Sequence, residues 1–167
     1  EVSGINGMES LVKVLPKIDF AIVGEPTQMQ LAIEEKGLMV VDCVAHGKSG
    51  HAAREEGVNA IYKAVEDIKW FQTYSFPEVS DLLGKVKMSV TLISAGIQHN
   101  VVPDKCSFSV DIRVNECYTN KEVFEVIQSN VQSDVVARSF RLNSSSVDKN
   151  HAYVKKCLSM NLPIFGS

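Results

Sequence analysis

Apolar positions along this chain recur with two periods, and these predict most of its elements. Val86, Met88, Val90 and Leu92 alternate with Lys87, Ser89 and Thr91. Cys106, Phe108, Val110, Ile112 and Val114 alternate with Ser107, Ser109, Asp111 and Arg113. Strict alternation buries one face of a strand and leaves the other wet, as in an antiparallel sheet covered by helices on one side. Asp111 and Arg113 therefore project from the uncovered face. Across residues 57–71 the spacing changes. Val58, Ile61, Val65, Ile68 and Phe71 recur at three- and four-residue steps, which predicts an amphipathic helix. Thr119 and Glu122 match a capping box that opens a second helix carrying Val123, Val126, Ile127 and Val131.

Weaker signals fill the rest. Residues 18–23 form a short apolar run closed by Gly24 and Pro26, a predicted buried strand. Residues 29–33 and 38–45 flank Lys36-Gly37 and predict a hairpin. Residues 135–142 read as a strand, 143–146 as a polar linker, 151–160 as a last helix and 162–165 as a last strand. From residue 38 to 142 the order is strand, helix, strand, strand, helix, strand, which is the ferredoxin-like βαββαβ order. It is bracketed by strand and helix pieces without a sheet of their own. The expected fold class is thus α/β, with a ferredoxin-like domain inserted in a larger α/β domain present only in part.

Composition narrows the classes. With 17 Lys+Arg against 20 Asp+Glu the formal net charge is −3, which removes the main electrostatic reason to expect a nucleic-acid or anionic-membrane partner. Nor do the strands carry the paired aromatics of an RNA-binding sheet. No apolar run approaches the ~20 residues that span a bilayer, and a cytoplasmic location is expected. Cys43, Cys106, Cys117 and Cys157 are unevenly spaced without a C-x-x-C pair, and Cys43 and Cys106 read as small core residues. Glu1 opens the chain without a methionine and Leu162-Pro163-Ile164-Phe165-Gly166-Ser167 closes it on an apolar run, so a segment of a longer chain is expected.

Four phrases carry chemistry. In Val23-Gly24-Glu25-Pro26-Thr27 a carboxylate is expected at the carboxyl end of a strand, where open α/β sheets bind ligands. In Gly47-Lys48-Ser49-Gly50-His51-Ala52-Ala53 small residues let backbone and substrate approach an imidazole. Gly96-Ile97-Gln98-His99-Asn100-Val101-Val102-Pro103 joins the two alternating strands and exceeds the length of a tight hairpin. The fourth is Arg113, whose guanidinium suits a carboxylate bidentately. Taken singly, each is also consistent with a solvated turn or surface residue. Glu34-Glu35 and Glu55-Glu56 are read as solvated faces, and with no His-x-His, His-x-Asp or His-Glu-x-x-His pair the sequence holds no complete metal site.

Together and in order, these phrases resemble the dinuclear zinc amidohydrolases that include acetylornithine deacetylase, succinyl-diaminopimelate desuccinylase, aminoacylase and carboxypeptidase G. The matching residues are Glu25-Pro26-Thr27, Lys36-Gly37, Gly50-His51-Ala52 followed by Gly57-Val58-Asn59-Ala60, and Asn100-Val101-Val102-Pro103 thirteen residues before Arg113. The resemblance implies a lid and dimerisation domain at 37–145 between catalytic-domain pieces at 1–36 and 146–167. It implies that Glu25 is a zinc ligand and that Glu1 is a ligand of the other zinc. His51 would reach a partner subunit's site and hydrogen-bond the scissile carbonyl as it becomes an oxyanion, and Asn100 would cross similarly. Arg113 would hold the substrate's carboxylate with help from Lys36. Two zinc ions per active site, with cobalt or manganese as substitutes, would lower the pKa of bound water toward ~7. The implied activity is hydrolysis of the amide of an N-acyl amino acid by a homodimer, acetylornithine deacetylase-like, with the segment alone inactive. A succinyl-diaminopimelate desuccinylase, or a dipeptidase or carboxypeptidase of the same family, is the alternative within it. A non-enzymatic ferredoxin-like dimerisation or regulatory module is the alternative outside it.

Overall fold

Three sheets and four helices organise residues 7–167, the residues described by this computed structural model. In chain order the elements are α1 (Met8–Val12), β1 (Leu31–Glu35), β2 (Gly37–His46), β3 (Gly50–His51), α2 (Ala60–Thr73), β4 (Lys87–Ala95) and β5 (Val101–Val102). They continue with β6 (Lys105–Val114), α3 (Asn120–Asn130), β7 (Asp134–Ala137), β8 (Ser145–Ser146), α4 (Ala152–Ser159) and β9 (Ile164–Gly166).

The main sheet has the order β4-β6-β2-β7 and every neighbouring pair is antiparallel. With α2 between β2 and β4, and α3 between β6 and β7, this is the ferredoxin-like arrangement. Met39, Val41 and Cys43 of β2 and Phe108, Val110 and Ile112 of β6 are buried with Ala60, Ala64 and Phe71 of α2 and Val123 and Ile127 of α3. The alternation forces this. Every second residue of β2 and β6 is apolar and meets the helices, while Asp42, Ser109, Asp111 and Arg113 stand on the other face. Cys43 and Cys106 are free core thiols, and burial pushes Cys43 up to about 12, which leaves it inert.

Asn59 caps α2 by accepting from Ile61 N–H at 2.8 Å. Thr119 and Glu122 form the expected reciprocal box at α3, with the Thr119 amide donating to Glu122 Oε2 at 2.7 Å. Thr119→Ala removes one acceptor for the first turn and is expected to cost about 1 kcal/mol, measured as a drop in the urea midpoint at unchanged slope.

Four expectations fail in detail. The hairpin between residues 29–33 and 38–45 does not form, because only Lys36 separates β1 from β2 and one residue cannot reverse the chain. Instead β1 is the centre of a separate sheet, β8-β1-β9, antiparallel to β8 and parallel to β9. Residues 18–23 form no strand among the described residues. Ile18, Phe20, Ile22 and Val23 are exposed, and without a neighbouring strand an extended run has no ladder to join. The strand begun at 134 ends at Ala137, where Arg138 turns its guanidinium onto Asp42 at 2.7 and 2.9 Å. Finally, a bulge between Val90 and Leu92 shifts the phase of β4, so Leu92 lies opposite Ser109 on the uncovered face and is 62% exposed.

Where the main sheet meets the smaller one, two chain segments press together. Leu38 bridges Leu142, and the buried Asn120 donates through Nδ2 to the Leu142 carbonyl at 2.8 Å. Among the described residues no helix is long and apolar enough to cross a membrane.

Candidate active-site elements at two ends of one sheet

His51 lies on a short arm that leaves the sheet after β2. Gly50 pairs with Val102 and His51 with Val101, and the Ala52 amide donates to the Asn100 carbonyl at 2.9 Å. His51 and Asn100, far apart in sequence, are thus neighbours, and both are exposed. The approach is tight at Gly50. A Cβ on Gly50 would stand 3.0 Å from Gly57 Cα and 3.1 Å from the Glu56 side chain.

The imidazole has a defined orientation. Ala53 N–H donates to His51 Nδ1 at 3.2 Å, so the neutral ring carries its proton on Nε2, away from that contact. The turn is closed by Arg54 N–H donating to the His51 carbonyl at 2.9 Å and by His51 N–H donating to Glu56 Oε1 at 3.3 Å. Glu56, read in sequence as merely solvated, therefore braces this turn. Beside the arm is a concavity of about 500 Å³ lined by Ala52, Asn59, Ala95, Ile97, His99 and Val101. Ile97 and His99 were not singled out by the sequence pattern. Their signal was the excess length of the loop that carries them. Ile97 is 91% exposed.

Arg113 and Lys36 lie at the opposite end. Arg113 pairs across the sheet with Leu38 on one side and Lys87 on the other, next to the Gly37–Val114 pair that follows Lys36. Lys36 Nζ donates to the Lys85 carbonyl at 3.5 Å. Arg113 is held side-on by Asp111, Nε to Oδ1 at 2.8 Å and Nη2 to Oδ2 at 3.2 Å. From Arg113 to Cys106, where the strand nears the His51 end, is about 24 Å of extended chain. One copy of the chain therefore does not bring Arg113 and Lys36 to His51 and Asn100.

Glu25 is exposed and lies in an irregular segment, not at the end of a strand. Glu1 lies outside the described residues. Among the described residues no three His, Cys, Asp or Glu side chains converge as a metal site, so those residues do not by themselves fit a zinc pair. Glu34 also departs from its solvated reading. It sits in the central strand of the small sheet, and its Oε2 is buried without a hydrogen-bond partner.

Residues 33–138 match the family model described as the peptidase dimerisation domain of the M20 group, and the chain belongs to that family. A succinyl-diaminopimelate desuccinylase of Wolbachia pipientis is 28% identical over 137 residues, covering 78% of this chain and 34% of its own length. An acetylornithine deacetylase of Myxococcus xanthus is 29% identical over 121 residues, covering 68% of this chain and 32% of its own. The crystal structure of an M20 family metallo-carboxypeptidase from Sulfolobus solfataricus superposes with a TM-score of 0.60 at 14% identity. It covers 86% of this chain and 55% of that one, a likeness of fold. The chain spans about a third of the length of the two curated relatives.

Proposed function

We propose that this chain is the lid-bearing segment of a metal-dependent amidohydrolase that cleaves N-acyl amino acids as a homodimer. On this reading residues 37–145 form the lid, and 1–36 and 146–167 are pieces of the catalytic domain. The observation that carries the proposal is the division of the candidate residues between the two ends of one sheet in a chain of a dimerisation-domain family. A second copy supplies what the first holds out of reach. His51 and Asn100 of one copy meet the substrate held by Arg113 and Lys36 of the other.

The chemistry follows from the groups. Arg113 binds the substrate's carboxylate through its guanidinium fork. His51 Nε2–H donates to the amide carbonyl oxygen as that oxygen gains charge, and Asn100 adds a neighbouring polar contact. Lys36 supports the anionic end of the substrate. Zinc, two ions per site, with cobalt or manganese as substitutes, is proposed for the whole enzyme; Glu25 and Glu1 are the ligands this chain contributes. Edge strand β4, with Leu92 and Ile93 exposed, and the neighbouring face of α2, with Tyr62 and Val65 exposed, support the lid as the dimer contact.

N-acetyl-L-ornithine, to which the resemblance of the sequence phrases points, is the favoured substrate and N-succinyl-L-diaminopimelate the second; the curated relatives include a named enzyme of each kind at nearly equal identity. The full-length protein is expected to release amine from one of them, with loss of activity on chelation and recovery with zinc. Amine release untouched by chelator overturns the metal-dependent reading. Release from neither substrate, with zinc shown to be bound, overturns the substrate class. Release from neither without bound zinc favours a binding module.

A further inference from the structure

We infer that Asp111 is the positioning residue of Arg113, holding its guanidinium as a preformed receptor for the substrate carboxylate; the inference rests on the reading of Arg113 given above. The two residues are two apart on β6 and so share its uncovered face. Their contact is side-on and bidentate, at 2.8 and 3.2 Å. It uses the Nε hydrogen and one Nη2 hydrogen, leaving the end-on edge formed by Nη1 and the second Nη2 hydrogen. Guanidinium has five N–H donors in a fixed plane, so the remaining edge can accept a second carboxylate without breaking the first contact.

A comparison on the same face separates this pair from a structural one. Asp42 takes Arg138 at 2.7 and 2.9 Å and also accepts from Ser109 Oγ at 2.7 Å. That cluster ties β2, β6 and the end of β7 together, and the Arg138 contact holds the Asp42 carboxyl below the usual carboxylate range. The Asp111–Arg113 contact ties β6 to itself and adds no connection between strands. In the cross-strand register Asp111 is flanked by Ser89 and Val40, and Arg113 by Lys87 and Leu38, so none of these four flanking residues brings a second carboxylate to the guanidinium. Both side chains are partly solvated, at 31% and 45% exposure, which screens the charge of Asp111 toward an incoming anion. What remains is geometry. An arginine otherwise free to rotate is ordered before the ligand arrives, and the ordering is not repeated on binding.

The test uses the full-length enzyme, whichever of N-acetyl-L-ornithine and N-succinyl-L-diaminopimelate it hydrolyses, and the α-carboxamide of that substrate. Asp111→Ala is expected to raise KM for the carboxylate substrate about tenfold with kcat within twofold. Kinetics on the carboxamide should be unchanged, and Asp111→Glu should recover part of the loss. An unchanged or lowered KM, or equal losses on both substrates, overturns the proposal. Arg113→Ala separates it from its premise. If that variant keeps the wild-type preference for the carboxylate, or if the wild type hydrolyses neither substrate, the reading of Arg113 fails. If it loses the preference while Asp111→Ala keeps it, only the role of Asp111 fails.

Discussion

In the full-length enzyme His51→Ala is expected to lower kcat by about 10²–10³-fold, because one preorganised donor to a developing oxyanion is worth that much. Metal content and KM should stay near wild type. The expectation comes from the geometry of the ring. With Nδ1 accepting from Ala53 N–H, the only ring proton of the neutral imidazole is on Nε2. The arm that holds the ring is fixed by the β3–β5 pairing and by the Ala52–Asn100 contact, so little reorganisation is needed when charge develops. Alanine keeps the backbone contacts of the arm; it removes the Nε2 donor together with the Nδ1 acceptor of Ala53 N–H.

The same proposal makes a stricter demand on mixed dimers. His51→Ala and Arg113→Ala chains damage opposite ends of the sheet, so a dimer with one of each holds one fully intact site and one doubly damaged site. Random mixing should therefore restore roughly a quarter of wild-type activity from two nearly inactive proteins. Restoration of none, with dimers present, would place His51 and Arg113 in the same copy's site. A His51→Ala enzyme with full kcat would remove the oxyanion role altogether.

The parts of the fold legible in sequence are those where one local rule decides. Residues 106–114 alternate in sequence without a fault, and they form the second strand of the main sheet with every apolar position buried as expected; of the alternate positions only Ser109, bonded to Asp42, is buried too. The Thr119–Glu122 box gives the start of α3 because both partners of the cap lie within one turn. Two of the failures are local, the early end of β7 at Ala137 and the β4 bulge after Val90, and the others are matters of partner choice. Strand β1 was visible, but its neighbours β8 and β9 lie more than a hundred residues away, whereas β2 is one residue away. Nearness in sequence suggested a hairpin that chain geometry forbids. Residues 18–23 have strand-like apolarity, yet apolarity does not supply a ladder. Glu25 inherited its expected position from that strand and lost it with the strand. For the site, the histidine phrase and the loop phrase were each readable, but not that they meet, since their meeting is a two-residue β-bridge with no periodic signature. The side-on grip of Asp111 on Arg113 follows from rotamers that the strand pattern leaves open.

Gly47→Ala should combine a stability loss of about 3 kcal/mol with a loss of turnover, and the two share one cause. A Cβ on Gly47 would collide with the Val58 carbonyl oxygen and stand 2.8 Å from Ala60 N. Neither atom is free to retreat. The Val58 carbonyl accepts from Lys48 N–H at 2.8 Å, the Val58 amide returns a bond to the Lys48 carbonyl at 2.9 Å, and Ala60 N–H donates to the Pro103 carbonyl at 2.9 Å. Gly47 N–H itself donates to the Asp104 carbonyl at 2.7 Å. A methyl group here must therefore separate the root of the His51 arm from the start of α2 or from the segment leading into β6. Either displacement carries His51 with it, because beyond these bonds the arm is anchored by the two β3–β5 residue pairs and the Ala52–Asn100 contact alone among the backbone contacts described. The measurement is a urea titration of the full-length protein together with kcat at a temperature where the variant is folded. Gly7→Ala, where an added Cβ meets nothing within 4 Å, is the control and should change neither. A Gly47→Ala protein within about 0.5 kcal/mol of wild type would mean that the arm is not fastened as described. One that is destabilised yet turns over normally when folded would show that the collision is relieved without moving His51.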